Sequence, residues 1–218
     1  MTDFYDNLET RSDDERANDL SKAIPAQLKN AKENSVAFKK ILKDVDVGNI
    51  KSIQDLATLP VLRKSELVRL QAESPPLGGL IAGSVDDLNQ IFQSPGPIYE
   101  PGMVKRDWWR SARALNAAGI GRGDIVQNCF SYHFTPAGML SEQGILAVGA
   151  TVFPAGTGQT ELQARAASEI GVTAYIGVPD FLQIILDKGD ELGLDLSKLT
   201  KALVGGGPLF PKTRQNYK

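Results

Sequence analysis

Ile125-Val126-Gln127-Asn128-Cys129-Phe130-Ser131-Tyr132-His133-Phe134-Thr135-Pro136-Ala137-Gly138 decides how the chain is read. A short apolar run gives way to an aromatic turn and then to Pro136–Val148, which is apolar on several sides. That is the pattern of a buried strand, a loop and a covered helix. The pattern recurs downstream. Ala150–Phe153, Thr173–Gly177 and Ala202–Val204 are further candidate strands, their starts roughly 25 residues apart, the room needed for a strand, a helix and two short loops. Gln159–Ile170 and Asp180–Leu192 read as the helices between them, with Pro179 suited to the first turn of the second. Phe181, Ile184, Ile185 and Leu192 form its buried stripe. Ahead of the first strand, Asp107 is expected to cap a helix on which Trp108, Ala112 and Leu115 share a face. Regular alternation of strand and helix predicts an α/β architecture, a doubly wound and mostly parallel sheet with right-handed crossovers.

Toward the N-terminus the pattern changes. Ser12-Asp13-Asp14-Glu15 has capping-box spacing, and Leu20, Ile24, Leu28 and Ala31 recur at helical intervals. Pro25 predicts a kink or a second helix start within that run. Leu59-Pro60 reads as an extended break and Ser65–Leu70 as a short helix. Ser74-Pro75-Pro76-Leu77-Gly78-Gly79 is the strongest linker signal in the chain. The expected organisation is therefore a helical N-terminal segment, residues 1–80, followed by a partial α/β domain, residues 81–218. Pro208–Lys218 reads as the opening of a helix after the fourth strand, so the sheet is expected to be incomplete.

Composition narrows the function. In 218 residues, 24 Lys and Arg face 26 Asp and Glu, so no strong field favours nucleic acid or an anionic membrane. One Cys and one His leave no disulfide framework, Cys-rich zinc site or His-cluster metal centre. The acidic, polar start lacks the form of a secretory signal, and no apolar run approaches a membrane span. A cytoplasmic protein with neither nucleic acid nor membrane as a partner is the expectation.

In an open parallel sheet, ligands bind beyond the carboxyl ends of the strands. Four segments should gather there, Ser131–Gly138, Pro154–Thr160, Val178–Asp180 and Gly205–Pro208, and an earlier loop, Ser94–Pro101, is a further candidate. Gly156-Thr157-Gly158-Gln159-Thr160 lacks the lysine of a phosphate-binding P-loop. Gly119-Ile120-Gly121-Arg122-Gly123 precedes a strand and has the wrong spacing for a dinucleotide fingerprint, which counts against an NAD-binding domain. Gly205-Gly206-Gly207 would let a flat or anionic ligand approach backbone, with Pro208 expected to open the next helix. Tyr132, Phe134, Pro136 and Gly138 could line an apolar pocket, with the His133 imidazole beside it as a proton donor or acceptor. Each segment also has a plain packing explanation. A Cys129–His133 nucleophile pair is set aside because Cys129 lies inside an apolar strand.

Leu8–Arg11, Leu59–Lys64 with Leu67, Ser94–Pro101, Ala118-Gly119 with Gly123-Asp124, Tyr132–Gly138, and Pro154–Thr160 through Gln163 occur here in one order. That set resembles the phenylacetate–CoA ligases and related adenylate-forming enzymes, over about the first half of such an enzyme. The resemblance implies an aryl or acyl acid:CoA ligase using ATP, Mg2+ and coenzyme A on a small aromatic or acyl carboxylic acid, and it allows a homodimer. By this likeness Gly205, Gly206, Gly207 and Pro208 match the segment that contacts adenine, with Gly207 where that turn often carries glutamate. Tyr132, His133, Phe134, Pro136 and Gly138 match the acyl-pocket segment. Ser94 and Gly96 stand in the place of the phosphate loop, without its Thr-Thr-Gly run. The family's magnesium-binding segment and C-terminal lysine have no counterpart in these 218 residues, so the chain alone is expected to be inactive. The alternative is a non-catalytic binding or scaffold protein derived from the same fold.

Overall fold

The computed structural model describes residues 4–217, and these form two compact units. One is Asp6–Met103 and the other residues 104–217 with residues 4 and 5. The expected boundary near residue 80 thus falls inside the first unit.

In that first unit the Ser12 hydroxyl accepts the Glu15 N–H while the Glu15 carboxylate accepts the Ser12 N–H, the reciprocal cap read from the sequence. It opens α1 (Asp13–Asn34), which runs unbroken through Pro25. Proline removes one intrahelical donor, and in a helix of 22 residues the flanking turns carry the remainder. The break comes at Ser35, whose hydroxyl caps α2 (Val36–Ile41). After α3 (Lys64–Glu73), Ser74–Gly79 is a packed turn and not a linker. Leu77 is 3% exposed, and the Gly79 carbonyl accepts both the Ala37 N–H and the Ser35 hydroxyl. The chain then forms an antiparallel hairpin, β1 (Gln90–Ser94) and β2 (Ile98–Gly102). The buried Gln71 amide bonds both the N–H and the carbonyl of Tyr99, tying this hairpin to α3. Those contacts carry the unit past residue 80.

The second unit is the doubly wound sheet. Its elements are α4 (Ala112–Ala117), β3 (Ile125–Asn128), α5 (Ala137–Ala147), β4 (Thr151–Phe153), α6 (Thr160–Ile170), β5 (Ala174–Gly177), α7 (Pro179–Glu191), β6 (Lys201–Val204) and α8 (Pro211–Asn216). The strands are all parallel, in the order β4-β3-β5-β6. Side chains alternate across the strands and give each face its own core. Val126, Ala174 and Ile176 pack with Leu115 and Ile145 on the α4/α5 face. Cys129 and Tyr175 pack with Ala164, Leu182 and Ile185 on the α6/α7 face.

Two local expectations are corrected. Trp108 does not share a helix with Ala112 and Leu115, because Asp107 and Arg110 take φ of +48° and +59° and delay α4 to Ala112. Ser111, not Asp107, stands at the N-cap of α4, although Asp107 Oδ1 accepts the Ala112 N–H from five residues back. Pro208 does not open a helix either; residues 208–210 are irregular and α8 begins at Pro211. Among the described residues no helix is long and apolar enough to cross a membrane.

Candidate functional site

Every strand of the parallel sheet ends on the same edge, so the turns that follow them share one rim. Backbone bonds extend the ladders past the strands. Cys129 N–H donates to the Ile176 carbonyl (2.8 Å), Gly205 N–H to that of Gly177 (3.0 Å), and Gly156 N–H to that of Asn128 (2.9 Å). The chain leaves β3 toward β4 on one side and returns to β5 on the other. The winding direction therefore reverses between β3 and β5, and a crevice at the carboxyl ends of such a pair is where open α/β sheets bind ligands.

The triple-glycine turn lies over that point. A Cβ on Gly206 would sit 3.3 Å from Val178 Cγ1 and 3.6 Å from the Phe130 ring, and one on Gly207 would sit 3.7 Å from Pro179. These neighbours follow β5 and β3, so the glycine turn and the start of the aromatic turn adjoin. The structure brings Gly205, Gly206 and Gly207 to the rim that carries Tyr132, His133, Phe134, Pro136 and Gly138. With the helix starting later than expected, Pro208 belongs to an irregular stretch and offers no helix-terminal amides.

Asn128, with no exposed surface, joins two rim turns. Its main-chain carbonyl receives Gly156, while its side-chain amide donates to the Gly138 carbonyl and the Tyr132 hydroxyl, both at 2.8 Å. Burial, with the Glu142 carboxylate adding to it, pushes the Tyr132 phenol well above its ordinary range. It remains neutral through the physiological range. Gly138 is set by close approach, because a Cβ there would meet the Ser131 carbonyl at 2.6 Å and the Tyr132 ring at 2.8 Å. Tyr132 is thus half-buried and fixed, whereas His133 and Phe134 face solvent. Phe134 is 74% exposed at φ +58°. A bulky side chain held outward in that sparsely used region points to function.

Ser94 and Gly96 belong to the other unit, in a hairpin and not an open loop. The Ser94 hydroxyl donates to the Glu100 carboxylate, and a Cβ at Gly96 would lie 2.7 Å from Ile98. A carboxylate engaged at that hydroxyl disfavours an anionic ligand there.

Cys129 is buried, its thiol pushed up to about 12 by burial, and it donates to Gln163 Oε1 at 3.0 Å. It is a packing residue and no nucleophile. The residues that sequence reasoning left out are the buried polar ones, Gln127, Asn128 and Gln163. Their signal was present, because Gln127 and Asn128 interrupt an otherwise apolar strand, and buried polar groups require partners.

The fold has solved counterparts. A solved 2-hydroxyisobutyryl-CoA ligase in complex with 2-HIB-AMP and CoA superposes with a TM-score of 0.86 over 95% of this chain and 47% of its own, at 18% identity. At that identity the likeness establishes the fold. Sequence then narrows it. The phenylacetate-coenzyme A ligase of Aromatoleum evansii is 27% identical over 198 residues, 86% of this chain and 44% of the relative. That of Pseudomonas putida is 24% identical over 98% of this chain and 50% of its own length. The Escherichia coli K12 enzyme of the same name is 27% identical over 88% of this chain and 45% of its own. No family model matches the chain. In sequence the chain is phenylacetate–CoA ligase-like, and it spans about half the length of the curated relatives it matches.

Proposed function

We propose that residues 104–217 form one wall of the acid- and adenylate-binding cleft of an AMP-forming acid:CoA ligase. The observation that carries this is the approach of the triple-glycine turn to Phe130, which leads from β3 into the aromatic turn, where the sheet's winding reverses. Tyr132, Phe134, Pro136 and Gly138 would face the organic part of a small aromatic or acyl carboxylic acid, with His133 at its edge. Gly205, Gly206 and Gly207 would face the adenine, since a turn bare of side chains admits a flat base against backbone. ATP would supply the adenylyl group that makes a carboxylate electrophilic, with pyrophosphate leaving, and coenzyme A would supply the thiol that displaces AMP. The chain's own part is positioning. Asn128 holds Tyr132 and two rim turns in register, and the neutral Tyr132 phenol presents no charge to the acid. Among the described residues no three His, Cys, Asp or Glu side chains group as metal ligands.

A second reading, a binding protein on the same fold that does no phosphate chemistry, is favoured by the Ser94–Glu100 bond. Titration of the isotopically labelled chain with AMP and, separately, with NADH tests the proposal. AMP is expected to shift amide resonances in 131–138 and 205–208. A response to NADH with none to AMP would overturn the ligase reading.

A further inference from the structure

The loop after β4 reaches the same rim, and its packing is unusual. Gly156 and Gly158 take φ of +68° and +77°, and Gln159, next in the chain, takes +54°. A Cβ on either glycine would have no neighbour within 4 Å. Side-chain packing at those two positions therefore does not hold these left-handed residues in place.

Two groups hold the turn from beneath: the Asn128 carbonyl, which accepts the Gly156 N–H, and a carboxamide that meets the turn's own carbonyls. Gln163, on α6 and 3% exposed, donates through Nε2 to the Gly156 carbonyl (2.9 Å) and the Gly158 carbonyl (2.8 Å). Its Oε1 accepts from Gln127 Nε2 (2.7 Å) and from the Cys129 thiol. An amide has two N–H donors and two lone pairs, and all four are used. The orientation of the group follows as well, because main-chain carbonyls only accept and so Nε2 must face the turn. Gln127 on β3 and Cys129 just past its end point to the same side of the sheet and lock the acceptor end.

We propose that Gln163 is a positioning residue, which fixes the shape of the Gly156–Gln159 turn and with it the β4 side of the ligand cleft. The second half rests on the cleft reading above; the first half does not. With both glycine carbonyls drawn inward by the carboxamide, the turn keeps one outline toward the rim. Without it, those carbonyls turn to water and the turn samples several outlines.

Hydrogen exchange of the full chain, with AMP binding measured alongside, tests this in Gln163→Leu, which keeps bulk and removes every bond. The Gly156 amide, bonded to the Asn128 carbonyl, should exchange about tenfold faster, the amides of 179–191 should be unchanged, and AMP should bind about tenfold more weakly. Gln127→Leu keeps both Gln163 donors and frees the acceptor end, and a smaller change of the same sign is expected. It serves as the variant if Gln163→Leu fails to fold. Unchanged exchange at the Gly156 amide in a folded variant would overturn the hold on the turn. Faster exchange there with unaltered AMP binding would overturn the link to the cleft. Wild-type chain that binds no AMP would overturn the cleft reading itself, while the exchange result still decides what Gln163 does to the turn.

Discussion

Asp124→Ala is expected to cost about 3 kcal/mol of folding stability, a large share of the roughly 5–15 kcal/mol of an ordinary domain. Asp124 is 6% exposed at the amino edge of the sheet, opposite the rim. Both its oxygens accept from Lys201 Nζ at 2.8 Å, and it also takes the Thr173 hydroxyl and the Gly121 N–H. One carboxylate thus ties the turn before β3 to the entries of β5 and β6. Truncation leaves a partly buried ammonium and an amide without their acceptor, which costs more than the pair contributes in net. The pH dependence has a definite sign. Burial opposes the charge, but the Lys201, Gly121 and Thr173 bonds outweigh it and hold the carboxyl below its ordinary range. A depressed carboxyl contributes stability that is complete above the unfolded value of about 3.9 and disappears as pH falls through the folded value. Denaturation of wild type and Asp124→Ala should therefore differ by a constant amount from about pH 5 to pH 8 and converge below about pH 4. A gap that stays constant down to strongly acid pH would show that the carboxylate contributes little through its charge.

Gly138→Ala is expected to reverse the usual sign of such a change. Alanine within a helix gains up to about 1 kcal/mol over glycine. Here the added methyl would stand 2.6 Å from the Ser131 carbonyl, which already accepts the Gly138 N–H at 2.9 Å. The carbonyl cannot swing aside without giving up that bond, and the Tyr132 ring closes the other direction. A net loss of about 1–3 kcal/mol follows, as for other overpacked sites. The Tyr132 ring should be displaced from Asn128, visible as shifted Tyr132 and Asn128 side-chain resonances. A raised melting temperature with those resonances unmoved would contradict the packing described for the aromatic turn.

The parallel sheet could be read from the sequence because each strand is a short apolar run between glycine-rich turns, and the four runs match β3 to β6 closely. The common rim followed from parallel order alone. What local pattern did not disclose was set by contacts distant in sequence. Ser74–Gly79 has linker composition, yet bonds from Ala37 and Ser35 make it part of a packed unit. Gln90–Gly102 carries prolines that suggest a loop, yet Gln71 anchors it as a hairpin. Pro208 and Pro211 both suit a helix start, and only the second is used. The candidate site was legible as turns but not as a network. Nothing in the spacing of Gln127 and Gln163 shows that they meet across β3 and α6.

One ligand is expected to span the aromatic and glycine turns. A non-hydrolysable phenylacetyl-adenylate analogue, bound to the isotopically labelled chain, tests it through intermolecular nuclear Overhauser effects. The predicted result is contact of the acyl ring with Tyr132 and Phe134 and of the adenine protons with the amides of Gly205–Gly207 in the same complex. Contacts from both ends of the analogue to a single turn, or binding confined to Asp6–Met103, would contradict it.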